Sequence, residues 1–285
     1  MPELSAKDER HRQRRLKSAN GIASRNGFIL FRWLIFNFAM LFMKPELYNA
    51  ERIPPYGRNT LQWYPRPYRR TDPNDGPVGE PFILTANHGS VFDIPFVGMV
   101  HRPMVWVAKP WFCANWLLAM LFQRMGAVPV FRPSVDGDLS RKGNSPERIR
   151  KYLRLSYQPA EMMQVALAAL KRGFPVQMYP EGSRVGRSEV DGSRSGAARL
   201  ACAAGVPIVP IGIVGCAKGD PVVRTRLLRR RVMIGIVGQE IHPGDYVEAY
   251  KDQRERERAM MNDWQEQVNQ LRKQALELLE SYPQR

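Results

Sequence analysis

Six short apolar runs between residues 82 and 237 constrain the fold of this chain more than any other feature. Most are separated by segments with helical apolar spacing, and Gly or Pro punctuates the junctions. Such an alternation predicts an α/β fold, a mixed and mainly parallel sheet flanked by helices on both faces. The predicted strands are 82–86, 104–108, 128–131, 176–179, 208–214 and 232–237, and the predicted helices are 111–125, 160–172, 196–204 and 250–279.

The chain of 285 residues is long enough for one large domain or two small ones, and either could bury a core without disulfides. Its organisation is expected to be uneven, with the α/β pattern confined to the middle. We expect a basic arm over 1–26, an apolar membrane-associated helix over 27–43, a Pro-rich connection over 44–80, the α/β domain over 81–245 and an amphipathic C-terminal helix over 246–285.

The segment 27–43 is the most apolar stretch, yet its 17 residues fall short of the ~20 that span a bilayer. Arg32 and Asn37 interrupt it, and no small-residue cleavage site follows it as in a signal peptide. We favour a helix lying in the membrane interface. A buried core helix and a true span are the alternatives.

Lysine and arginine outnumber acidic residues and give a net charge of +16, so the chain should meet an anionic partner. Nucleic acid, an anionic membrane surface and a phosphorylated or CoA-like substrate are the candidates. Nucleic acid is disfavoured, because no helix-turn-helix, RNA-recognition or zinc-finger signature occurs. The densest basic run, residues 224–231, is either a solvated face or a membrane contact.

The three cysteines, Cys113, Cys202 and Cys216, are too few for a disulfide framework and fit no zinc spacing. Their apolar or small neighbours indicate core thiols.

His88 directly follows the predicted strand 82–86, and Asp93 comes five residues later. Strand ends are where open α/β sheets place their sites. The carboxylate can return to the imidazole and orient it as a general base, because no adjacent Ser or Cys serves as a nucleophile. A structural histidine at a strand end is the alternative interpretation.

A second polar loop follows the strand 176–179 and contains Glu181, Gly182, Ser183 and Arg184. The glycine permits close backbone approach, and the guanidinium offers a bidentate contact to phosphate. An ordinary turn with a solvated Glu–Arg pair is the alternative.

Four motifs in this order resemble the glycerolipid acyltransferase family, typified by 1-acylglycerol-3-phosphate (lysophosphatidate) acyltransferases. The resemblance covers about residues 80–245, and two departures, Ser183 for Thr and Tyr179 for Phe, lie in the third motif. The motifs are Asn87-His88-Gly-Ser-Val-Phe-Asp93, the family's His-x4-Asp block, then Gly126-Ala-Val-Pro-Val-Phe-Arg132, Tyr179-Pro-Glu181-Gly182-Ser183-Arg184 and Val206-Pro-Ile-Val-Pro210-Ile-Gly.

The resemblance implies transfer of a fatty acyl group from acyl-CoA or acyl–acyl carrier protein to a lysophosphatidate hydroxyl. It makes His88 the general base, oriented by Asp93, and Glu181 a contact to the acceptor. No cofactor or metal is implied, and the thioester is a co-substrate. It also implies work at the cytoplasmic face of the cell membrane, with another lysolipid or a glycolipid as the alternative acceptor. The residues expected to bind substrate are Glu181, Gly182, Ser183, Arg184, Lys109, Arg132 and Arg194.

Overall fold

The computed structural model of the protein has, in the residues that it describes, a seven-stranded sheet at its centre. The strand order is β1-β7-β6-β2-β5-β3-β4, with all contacts among β6, β2, β5, β3 and β4 parallel. The strand β7 runs antiparallel to β6, and β1 pairs with β7 in parallel. The strands are β1 (Met43–Tyr48), β2 (Ile83–Ala86), β3 (Val105–Ala108), β4 (Ala127–Pro129), β5 (Val176–Met178), β6 (Ile208–Val214) and β7 (Arg231–Val237).

The structure describes residues 6, 10, 39–54, 79–98, 104–109, 115, 117, 118, 122, 126–131, 147, 156–182, 189–225 and 228–283. Four α-helices of five residues or more lie within these ranges. They are α1 (Asp93–Val97), α2 (Pro159–Lys171), α3 (Gly196–Ala204) and α4 (Gln253–Glu280), and short 3-10 turns cover Ala50–Arg52 and Pro243–Tyr246. The mixed, mainly parallel sheet with flanking helices confirms the predicted fold class.

Both faces of the sheet are buried, as the apolar runs predicted. Side chains of β2 alternate between the faces, because successive residues of a strand point to opposite sides. Ile83 packs with α2 and α3, whereas Phe82 and Leu84 pack on the opposite face with Phe96 of α1. A strand that is apolar on both sides is typical of a parallel sheet covered by helices.

The long helix α4 is capped at its N-terminus and hydrogen-bonded to the sheet nearer its middle. Its Asp252 cap accepts hydrogen bonds from the N–H groups of residues 254 and 255. The indole N–H of buried Trp264 donates to Thr85 Oγ1 at 2.8 Å, which ties α4 to β2. The apolar stripe that α4 buries against the rest of the protein includes Trp264, Val268, Leu271, Ala275 and Leu279.

The strand β1 is an element that the sequence analysis did not predict. It begins at Met43, the last residue of the predicted membrane-associated helix, and its remaining residues fall in the predicted connection 44–80. Its pairing with β7 is long-range, since Met43 faces Arg231. Local apolar periodicity carries no information about such a partner.

Several predicted segments lie largely or wholly outside the described residues. They are nearly all of the basic arm 1–26, most of the apolar segment 27–43 and most of the helix 111–125. In the part of the chain that the structure describes, no helix has both the length and the apolar character to cross a bilayer.

Candidate active site

The carboxyl ends of the parallel strands meet along one edge of the sheet, which we call the carboxyl edge. Chemically active side chains follow four of these strands directly: His88 after β2, Lys109 after β3, Glu181 after β5 and Cys216 after β6. The strand β2 lies between β5 and β6 and pairs with both. Residues far apart in sequence therefore converge there, as expected for an open α/β sheet.

His88 and Asp93 form a hydrogen-bonded pair at this edge. The distance from His88 Nδ1 to Asp93 Oδ2 is 2.9 Å, and the two side chains are 14% and 1% exposed. An ionised carboxylate can only accept hydrogen bonds, so the ring proton belongs on Nδ1 and the lone pair on Nε2. The predicted pairing across one turn is thus present, and the His88 side chain remains partly exposed to solvent.

The Asp93 carboxylate is surrounded by hydrogen-bond donors. Its Oδ2 also accepts from the backbone N–H groups of Gly89 and Ser90, each at 2.8 Å. Its Oδ1 accepts from the Cys216 thiol at 2.7 Å. Both oxygens of the carboxylate that faces the imidazole are therefore held by donors.

Burial raises the pKa of the Cys216 thiol well above its ordinary value, and the adjacent Asp93 charge raises it further. The sulfur therefore carries its proton at neutral pH and acts as a donor to the carboxylate.

The loop after β5 supports His88 from a second side. The Tyr179 ring stacks on the imidazole with centroids 4.0 Å apart and planes 14° from parallel. The Glu181 carboxylate accepts a 2.6 Å hydrogen bond from the His88 backbone N–H. Both the ring and the backbone of His88 are therefore held by residues that follow the neighbouring strand.

Burial raises the pKa of Glu181 to about 7, and the His88 N–H bond and the Arg272 charge oppose this shift. The Glu181 carboxyl is consequently close to its titration midpoint at neutral pH.

The ends of β2 and β6 are fastened to each other. Asn87 donates from Nδ2 to the Ile213 carbonyl at 2.9 Å and accepts from the Ile213 N–H at 2.7 Å. Two residues further on, a Cβ on Gly89 would lie 2.4 Å from the Ala217 Cβ. Only glycine allows the His88 turn to approach the turn after β6 this closely.

Other predicted site residues lie at or beside the same edge. Gly182 closes a turn, with a φ of 71° and a 2.9 Å bond from its N–H to the Tyr179 carbonyl. The Arg194 N–H donates to the Pro180 carbonyl at 3.0 Å, so this residue borders the Glu181 loop. Lys109 directly follows β3, which lies two strands away from β2. Ser183, Arg184 and Arg132 lie outside the described residues.

Two contributors to the site were not predicted from the sequence. Cys216 is buried, as expected of a core thiol, but its sulfur also contacts Asp93. Tyr179 was noticed only as a departure from the family motif, and its ring packs on the histidine. Each directly ends or follows a strand at the carboxyl edge, and that position was the available signal. Cys202 lies elsewhere, 3.7 Å from the Met260 sulfur, and Cys113 is outside the described residues.

This arrangement can accept a proton at His88 Nε2 and stabilise the resulting imidazolium with the Asp93 carboxylate. Among the residues that the structure describes, no cluster of His, Cys, Asp or Glu has the composition to hold a metal ion.

The acyltransferase family model matches residues 44–214, which is more than half of the chain and includes both strand-end loops. A 1-acyl-sn-glycerol-3-phosphate acyltransferase of Chlamydomonas reinhardtii is 26% identical over 170 residues, which are 59% of this chain and 44% of that protein. The chain thus matches less than half the length of this relative.

Among solved structures, the crystal structure of the 1-acyl-sn-glycerophosphate (LPA) acyltransferase PlsC from Thermotoga maritima aligns with a TM-score of 0.46 and 17% identity. The alignment covers 94% of this chain and 84% of that one.

The His-x4-Asp pair and the Glu181-Gly182 loop follow the neighbouring strands β2 and β5, inside the matched range. With a family model covering most of the sheet, the chain belongs to the acyltransferase family.

Proposed function

We propose that this protein transfers a fatty acyl group from a thioester to the free hydroxyl of lysophosphatidate, forming phosphatidate. The observation that carries the proposal is the His88–Asp93 pair at the carboxyl edge, with the proton assigned to Nδ1 and Nε2 left to accept another. The family membership and the activity named for the Chlamydomonas relative support the choice of reaction.

In the proposed reaction, His88 Nε2 removes the proton of the acceptor hydroxyl as its oxygen attacks the thioester carbonyl carbon. The carbonyl π electrons move onto oxygen and give a tetrahedral oxyanion. When the carbonyl re-forms, the carbon–sulfur bond breaks and the imidazolium proton passes to the leaving thiolate. Histidine ends neutral, and no covalent acyl-enzyme is needed because the thioester is already activated.

Acyl-CoA and acyl–acyl carrier protein both supply such a thioester, and both carry phosphate. The acceptor phosphate would be held by the basic residues expected to bind substrate, with Arg184 the first candidate because of its bidentate guanidinium. The overall charge of +16 favours approach of either anionic substrate.

The test is to incubate the purified protein in detergent with labelled acyl-CoA or acyl–acyl carrier protein and a panel of acceptors. The panel contains lysophosphatidate, glycerol 3-phosphate, lysophosphatidylglycerol and a glycolipid. We expect labelled phosphatidate from lysophosphatidate, and a higher KM for it in Arg184→Ala. Efficient acylation of another acceptor alone would reassign the substrate, and no transfer to any acceptor would contradict the proposal.

We further propose that the protein works on the cytoplasmic face of the cell membrane, with the carboxyl edge toward the lipid. β1 and β7 both begin at this edge, because they run opposite to the other strands. Exposed Leu41 and Phe42 precede β1, and exposed Leu228 precedes β7. The Arg230 guanidinium donates to the Met40 carbonyl, so the apolar side chains and the basic run adjoin each other.

Apolar side chains among arginines suit an anionic lipid interface. We expect Leu41→Asp and Leu228→Asp to weaken co-sedimentation with vesicles containing anionic lipid, with only partial loss for the wild type at high salt. Val247→Asp is the matched control, because Val247 is 50% exposed but follows the opposite end of β7. If Leu41→Asp, Leu228→Asp and Val247→Asp all bind these vesicles equally well, the membrane contact lies elsewhere on the protein.

A further inference from the structure

We propose that Cys216 is a positioning residue for the acyl transfer, because its thiol holds the Asp93 oxygen that the histidine leaves free. The inference rests on the proposed function. It concerns a residue outside the four motifs, on a turn that follows β6 rather than β2.

The two oxygens of Asp93 are held differently. Oδ2 receives the imidazole and two N–H groups of its own turn. Oδ1 receives the Cys216 sulfur at 2.7 Å, from a residue 123 positions later in the chain. Among the contacts of the described residues, only the thiol engages Oδ1, so without it the described contacts that oppose rotation of the carboxylate about its Cβ–Cγ bond all lie on Oδ2. The thiol therefore fixes the orientation that aligns Oδ2 with Nδ1.

The sulfur can do this because its own turn is rigidly held. Asp220 Oδ2 accepts from the N–H groups of Gly215, Cys216 and Ala217 at 2.8, 3.2 and 3.0 Å. Arg272 of α4 donates to Asp220 Oδ1 at 3.1 Å, and both side chains are almost fully buried, at 4% and 2% exposed. A second arginine, Arg231, donates to the Gly215 carbonyl.

The thiol also tunes the charge that the imidazole experiences. A donor on Oδ1 draws negative charge away from Oδ2 and weakens its attraction for an imidazolium. Removing the donor should leave a more basic carboxylate and raise the pKa of His88. The other groups facing this pair are Glu181 and Tyr179 from the β5 side and Asp220, Arg231 and Arg272 from the β6 and α4 side, and the substitution leaves them in place.

The experiment compares the full-length wild type with Cys216→Ala and Cys216→Ser. Alanine removes the donor, whereas serine keeps one. Cys202→Ala is the matched control, because Cys202 is a partly buried cysteine on α3 whose described contact is Met260 of α4. Activity is measured as kcat and KM for lysophosphatidate across pH, and folding by thermal unfolding.

For Cys216→Ala we expect kcat to fall about 10-fold with KM nearly unchanged, the scale of one hydrogen bond to a charged group. The acid limb of kcat/KM should move to higher pH by about half a pH unit. Cys216→Ser should stay within about 3-fold of wild type, and Cys202→Ala should match the wild type. An unchanged kcat and pH profile in Cys216→Ala would overturn the proposal, as would equal losses in both Cys216 variants without a shifted limb.

A readout without substrate separates this inference from the proposed function. The imidazole signals of the protein are titrated by NMR, and His88→Ala identifies the His88 signal. A higher His88 pKa in Cys216→Ala, but not in Cys202→Ala, supports the contact even if the acceptor proves to be another molecule. An unchanged His88 pKa overturns it, whatever the assay on lysophosphatidate shows.

Discussion

Two buried aspartates at neighbouring strand ends use the same local architecture with different partners. Asp93 follows His88 by five positions, and Asp220 follows Gly215 by five positions. In each turn, one carboxylate oxygen accepts backbone N–H groups of the residues just before it. Asp93 then faces an imidazole, whereas Asp220 faces the guanidinium of Arg272.

The difference between the partners separates chemistry from architecture. A guanidinium stays charged at any physiological pH, so the Asp220–Arg272 pair has one state and can only hold the structure. An imidazole can take up and release a proton, so the Asp93–His88 pair has two states and can move a proton. Cys216 connects the two pairs, because its backbone N–H donates to Asp220 and its thiol donates to Asp93.

The largest expected effect comes from replacing His88, the member of the Asp93–His88 pair that takes up and releases a proton. His88→Ala should lower kcat by about 10²–10⁴-fold, the usual contribution of a general base, while the thermal midpoint changes little. Steady-state acyl transfer together with a thermal melt measures both quantities.

Asp93→Asn should lose a similar amount or less, because the imidazole keeps its place but loses the charge that stabilises its cation. A folded His88→Ala protein that retains more than about a tenth of the wild-type rate would show that another group is the base.

Breaking the Asp220–Arg272 pair should instead lower the stability of the folded protein. Arg272→Met leaves a buried carboxylate without its cation, and such a loss costs about 3–5 kcal/mol of unfolding free energy. Arg258→Met is the control on the same helix, because Arg258 is exposed and its loss should cost no more than about 0.5 kcal/mol. Urea denaturation measures both variants, and equal midpoints for them would mean that the Asp220 turn does not depend on α4.

The smallest effect concerns Glu181, a third carboxyl beside the pair. Its pKa is about 7 in the folded protein against 4.5 for the free carboxyl. Between these two pH values the folded state therefore keeps a proton on Glu181 that the unfolded chain has released. Its contribution to stability therefore falls as pH rises from 4.5 to 7 and is constant above that range.

The Glu181→Gln variant, which keeps an acceptor for the His88 N–H, should lose this contribution. The difference from wild type should be on the order of 1 kcal/mol per pH unit at most, because solvent reaches part of the group. Unfolding free energies measured at intervals across the window test this. Parallel pH profiles for the two proteins would show that Glu181 titrates normally.

Local sequence was enough to predict most of the sheet and half of the site. The helix 196–204 and the strand 208–214 have the predicted bounds, because Gly205 ends the helix with a φ of 66° and the strand is apolar throughout. His88 and Asp93 were predictable because their contact spans a single turn. The contact of Cys216 with Asp93 was not, since it depends on β6 lying beside β2.

The same reasoning explains why β1 was missed. The sequence of β1, Met-Lys-Pro-Glu-Leu-Tyr, contains a lysine, a proline and a glutamate, and it reads as an exposed connection. Only pairing with β7 makes it a strand, and strand pairing over such a separation leaves no periodic signal in either segment.

The pairing of β1 with β7 also sets an order of events during synthesis. Met43 leaves the ribosome long before Arg231, its partner in the register. At about 5–20 residues per second, the intervening chain takes on the order of 10 to 40 s to make. Throughout that interval β1 has no neighbouring strand, and the sheet acquires this edge only after the rest of its strands exist. Long-range pairing of this kind slows folding, so completion of the β1 edge should be a late event in the maturation of the protein.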